Sequence, residues 1–93
     1  MILLAIAFVA APTAIPADRP LPREVQRFID KRDSCEHWMG EEGYDAARKR
    51  QIERAVRESC TGVDRELDRL RRVYRRNPRV IAALKDYYKV NLQ

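Results

Sequence analysis

Apolar and polar positions divide the chain into a leader and a body. Every side chain from Met1 to Ala11 is apolar, Pro12 interrupts the run, and the first charge is Asp18. A spanning helix needs about 20 apolar residues, so the shorter run predicts a secretory signal peptide over residues 1–17. Small residues place its cleavage after Ala17, or after Ala11. No cysteine stands at the junction, so no lipoprotein anchor is indicated. Residues 18–22 hold two prolines without periodicity and read as a flexible linker.

Residues 23–93 read as a single helical domain. Val25, Phe28, Ile29, Cys35 and Met39 recur at helical spacing, with Pro22 suited to the first turn and Gly40 to the stop. A second helix is predicted from about Asp45, as N-cap, to Cys60. It buries Ala47 or Tyr44, then Ile52, Ala55, Val56 and Cys60. Thr61-Gly62 breaks it. The third carries Val63, Leu67, Leu70 and Tyr74 at seam spacing and ends at Asn77-Pro78. The fourth starts there, with Asn77 capping, Pro78 at the first position, and Val80, Ile81, Leu84 and Tyr88 on its apolar stripe. No segment alternates with period two, so the expected fold is all-α: a small bundle of three to four short helices.

So small a body buries little more than its ordering costs, and a staple is usually required. In an oxidising compartment, Cys35 and Cys60 form the only intramolecular disulfide available. Closing that loop stabilises the fold by roughly 3.5 kcal/mol on a chain-entropy basis. A tight hairpin turning at Gly40 to Gly43 would put Cys35 opposite Arg48, leaving Cys60 about 20 Å further along. The stretch from Trp38 to Tyr44 is therefore expected to run back extended along the second helix, with the first two helices nearer parallel than hairpin.

Candidate chemistry concentrates in that stretch. His37, Glu41, Glu42 and Asp45 offer an imidazole and three carboxylates, a set that could hold a divalent cation or work as acid and base. The competing reading is structural: acids ahead of a helix start, glycines in turns, and Trp38 and Tyr44 as core or rim aromatics. Two thiols and one histidine match no zinc spacing. No Ser-His-Asp set, phosphate-binding glycine loop or HExxH is present, so neither a catalytic residue nor a cofactor is expected.

Charge is placed unevenly. Asp18 to Cys60 has ten basic and ten acidic residues, whereas Thr61 to Gln93 has nine and four, so the whole net charge of +5 lies in the last third. On the third helix Arg65, Arg69, Arg72 and Arg76 share one face opposite the apolar stripe, and Arg71, Arg75 and Arg79 widen it. Such a face suits an anionic partner, or serves only as a solvated surface with Asp64, Glu66 and Asp68 as helix-spaced ion-pair partners. Tyr87 and Tyr88, beside Lys85 and Lys89, either extend it or cover the core.

The run Cys35-Glu36-His37-Trp38-Met39-Gly40-Glu41-Glu42-Gly43-Tyr44-Asp45, followed by Cys60-Thr61-Gly62-Val63-Asp64, resembles a group of small exported bacterial proteins with a C-x-H-x-x-G-E-E-x-Y-D segment and a later C-x-G-x-D. That resemblance implies export and a small helical fold. Cys60, Asp64, Glu66-Leu67 and Tyr74 are also similar in order to residues of the LprI-like lysozyme-inhibitor family, with Asp68 where that family has Asn and a longer cysteine spacing. This second resemblance implies hydrolase inhibition. The expectation is a monomeric, non-enzymatic periplasmic or secreted protein that contacts an envelope or periplasmic macromolecule, acidic in character. Nucleic acid is not expected, and membrane contact only through an uncleaved leader. Lysozyme inhibition, or metal binding by His37, Glu41, Glu42 and Asp45, are the alternatives.

Overall fold

A computed structural model of the chain describes Ala5 and residues 20–91. The expected signal peptide, Ala5 apart, and residues 18 and 19 of the expected linker lie outside the described residues. Four α-helices follow one another without a strand among the described residues: α1 (Arg23–Met39), α2 (Ala46–Cys60), α3 (Val63–Val73) and α4 (Pro78–Leu84). None is long and apolar enough to cross a membrane.

The helix boundaries follow local chemistry. Pro22 is the N-cap of α1, its carbonyl accepting the amides of Val25 and Gln26 at 3.0 and 3.1 Å. At the other end the Gly40 amide closes on the Glu36 and His37 carbonyls. Asp45 caps α2 by accepting the Arg48 amide at 2.8 Å, which satisfies one of the donors a helix start leaves open. The two-residue link Thr61-Gly62 works because Gly62 takes φ +83°, a left-handed conformation that costs glycine little. Asn77 caps α4 through its side-chain oxygen, which accepts the amides of Arg79 and Val80.

The disulfide between Cys35 and Cys60 is formed, with its Cα atoms 4.8 Å apart. The expected near-parallel arrangement of α1 and α2 does not occur. Lys31 donates to the Thr61 carbonyl at 2.8 Å, Cys35 meets Cys60, and the Arg48 guanidinium carbon lies 5.4 Å from the Trp38 ring centroid. Rising numbers on α1 thus meet falling numbers on α2, and the pair is antiparallel. The bridge is accommodated by an offset instead: α2 projects past the end of α1, and the link from Gly40 to Asp45 runs alongside it. At Gly43 the backbone comes so close that a Cβ there would sit 3.0 Å from the Lys49 Cα. At about 3.3 Å per extended residue the link covers the offset.

The offset also corrects the expected buried stripe. The overhanging start of α2 meets only the link and Trp38, so Ala47 is exposed, Tyr44 is 84% exposed, and apolar burial begins only near Ile52. Met39 likewise falls outside the core. The core unites Val25, Phe28 and Cys35 of α1, Cys60 of α2, Val63, Leu67 and Leu70 of α3, and Val80 and Leu84 of α4.

Two further expectations change at the C-terminal side. α3 stops at Val73, before Asn77: Pro78 disfavours helical conformation only at Asn77, and the three residues between form a turn. Asn77 is extended, and its amide closes a turn on the Tyr74 carbonyl. α4 ends at Leu84, so Tyr88 is not on its stripe and is mostly exposed, and Ile81 is half exposed. Residues 85–91 instead form a strap across α1 and α3. Tyr87 sets its ring edge-on to Phe28 at 5.9 Å and donates its hydroxyl to Asp33 at 2.8 Å. Asp64 accepts the amides of Val90 and Asn91 at 2.7 and 2.8 Å, and Lys89 pairs with Asp68 at 2.8 Å. Burial, and then the bond to Asp33, push the Tyr87 phenol up to about 12.

Replacing both cysteines, Cys35→Ser with Cys60→Ser, is expected to lower unfolding free energy by about 3 kcal/mol in urea denaturation. A loss below about 1 kcal/mol would show that the bridge does not restrain the unfolded chain. Folded protein holds the Tyr87 proton where an unfolded tyrosine, near about 10, releases it, so stability should fall as pH rises from about 10 toward about 12. Tyrosinate absorbance should show a late step near 12 that Tyr87→Phe lacks.

Candidate functional site

Most of the candidate chemistry lies on α3 and its surroundings. α3 places Val63, Leu67 and Leu70 in the core and turns its charged positions outward. The arginines expected on one face then meet different fates. Arg69 is drawn inward: its Nε and Nη2 donate to the two Glu66 carboxylate oxygens at 3.2 and 2.7 Å, and Nη2 also pairs with Glu24 of α1. Tyr74 donates to the other Glu24 oxygen at 2.6 Å. One carboxylate at the start of α1 thereby ties down both an arginine of α3 and the tyrosine that follows it.

The ionisation of these groups follows from their bonds. The Tyr74 hydroxyl, then the Arg69 guanidinium, hold the Glu24 carboxyl below the usual carboxylate range. Arg69 does the same to Glu66. Tyr74, as donor to an anion, keeps its proton more firmly than a free phenol. Arg69 is therefore an internal staple. Arg71 is another: it donates through Nη2 to the carbonyls of Leu84 and Tyr87, fastening the end of α4 and the strap.

Arg65, Arg72 and Arg76 remain exposed, and none engages a carboxylate among the described residues. Arg65 and Arg72 project from α3, whereas Arg76 lies beyond its end in the turn before Asn77. Arg65 also borders, with Arg57, a cleft of ≈ 490 Å³ beside Cys60 and Gly62. The face read from the sequence as a quartet is thus a trio with a neighbouring cation.

The four candidate metal ligands are not brought together. His37 Nε2 lies 3.5 Å from Glu41, and Glu41 also faces Arg48 at 3.4 Å. Asp45 is turned to the Arg48 amide, and Glu42 is exposed. No group of three or more histidine, cysteine or acidic side chains converges on a metal position among the described residues. Arg48 organises this corner, stacking over Trp38 while holding Glu41 and Gln51.

Sequence reasoning passed over Arg32, which is only 5% exposed. Its spacing was informative, since position 32 follows Phe28 by four and precedes Cys35 by three on the apolar stripe. Its Nη1 lies 3.6 Å from Glu36 and its Nη2 reaches the Tyr88 carbonyl at 3.5 Å, while Nε and Nη1 have no hydrogen-bond partner. The strap covers a charge at considerable desolvation cost.

No family model matches the chain, and searches of curated proteins and of solved structures find no match.

Glu24 ionises more readily folded than unfolded, so its contribution to stability is present above the unfolded value, about 4.3, and is lost as pH falls through the lower folded value. The variant Glu24→Gln should flatten the acid limb of a stability profile below about pH 4.3. Parallel acid limbs in the two proteins would show that the Glu24 network is energetically silent.

Proposed function

We propose that this protein is a small exported helical module, locked by its disulfide, that acts without catalysis in the periplasm or envelope by holding an anionic macromolecule. Its contact surface is the outer side of α3 with the turn beyond it, through Arg65, Arg72 and Arg76. The observation that carries this reading is the division of the arginines. Arg69 and Arg71 are consumed by the fold, whereas Arg65, Arg72 and Arg76 stand exposed without an acidic partner among the described residues. Unneutralised cations on a rigid element attract and orient a polyanion at little ordering cost. The disulfide supports the export part of the proposal, since such bonds persist in oxidising compartments.

Binding to a long polyglutamate, followed by fluorescence anisotropy, should weaken by at least about tenfold between about 20 and 200 mM salt. The triple variant Arg65→Ala, Arg72→Ala, Arg76→Ala should bind about tenfold more weakly at low salt while keeping its disulfide and its unfolding midpoint. Equal binding by wild type and variant would remove the proposal.

A further inference from the structure

A second surface lies where α3 meets α4. A groove of ≈ 270 Å³ opens there, with buried Val80 and Leu84 beneath, and Tyr74 and half-exposed Ile81 along it. The polar groups bordering it are cationic: Arg71, Arg75 and Lys85, with no acidic residue in the lining. The Tyr74 hydroxyl is already given to Glu24. Arg71 is fixed across one end by the Leu84 and Tyr87 carbonyls. Arg75 and Lys85 are exposed and engage no carboxylate among the described residues.

We propose that this groove takes the tail of a medium-chain fatty carboxylate, with the acyl chain over Val80, Ile81 and Leu84 and the head group at Arg75 and Lys85. The charge pattern selects the head: an anion is met by two cations, and a cation would be repelled by the same pair. The apolar lining selects the body. A peptide would carry backbone amides and carbonyls over a surface with no free side-chain acceptor or donor beyond the cations, whereas an acyl chain carries no polar group past its head. The volume, just under the about 300–1,000 Å³ of drug-sized sites, suits a single short chain better than the paired chains of a phospholipid. The site shares no residue with Arg65, Arg72 and Arg76, so it stands or falls independently of the polyanion surface.

The test is a nitrogen-15 correlation titration of the disulfide-intact protein with decanoate below its micelle concentration. Decanoate should move the amides of Ile81, Leu84 and Lys85 saturably, while acetate, which lacks the tail, and decyltrimethylammonium, which reverses the charge, should not. Ile81→Asn, and separately Arg75→Glu with Lys85→Glu, should each weaken decanoate binding by about tenfold. All three positions are exposed, and unchanged spectra elsewhere would confirm the variants are folded. The proposal is overturned if decyltrimethylammonium binds equally, if the shifts map away from the groove, or if both variants bind decanoate as wild type does. It is also overturned if an acidic peptide saturates these amides where decanoate does not, or if they move on dilution of the protein alone, which would give the groove to a second copy of the chain.

Discussion

The covalent link between Cys35 and Cys60 sets how far α1 and α2 slide past each other, and the remaining geometry adapts to that offset. Twenty-five positions separate the two cysteines. A tight hairpin could not bring them together, so the link from Gly40 to Asp45 is drawn out beside α2, and the start of α2 is left overhanging. After the two-residue link Thr61-Gly62, α3 begins and brings Val63, Leu67 and Leu70 into one small core with Val25, Phe28 and the bridged cysteines. A core of this size leaves a thin margin over chain entropy, which gives the staple its weight.

Charge is the second organising quantity, and the fold spends it in two ways. Asp64 and Asp68 bind the strap, Glu66 binds Arg69 three positions on, and Glu24 of α1 reaches Arg69 and Tyr74, so three of the four acidic residues of the last third are engaged in holding the molecule together. Single exposed pairs contribute little, about 0–1 kcal/mol, but Glu24 draws Arg69 and Tyr74 together and Asp64 fixes two consecutive amides. With the acids so engaged, the arginines they would have neutralised face outward. The excess of basic residues in Thr61 to Gln93 becomes a surface property because the carboxylates are occupied.

Local signals in the sequence carried the helix boundaries well. Gly40 and Thr61-Gly62 mark helix ends and Asp45 and Asn77-Pro78 mark helix starts as read, whereas the end of α3 at Val73, ahead of Asn77, was not marked. The disulfide was legible because only one intramolecular pairing exists. The antiparallel sense of α1 and α2 was not legible, because an extended link satisfies the cysteine spacing with either direction. Periodicity placed Arg69 on the solvent side of α3 but could not reveal Glu24, 45 positions earlier, waiting for it. Neighbours such as Tyr87 and Tyr88 are equivalent until the strap's path is known, and only Asp33 and Phe28 decide which ring turns in. Arg32 shows the reverse case: its spacing announced burial, yet residue type alone argues against it.

The strap gives assembly a direction in time. Cys35 and Cys60 both precede the strap in the chain. The groups that cover Phe28 and the Arg32 guanidinium come from Tyr87 and Tyr88, more than fifty positions later in the chain. A chain growing from its N-terminus therefore contains both halves of the covalent bridge before it contains the stretch that lies over the core.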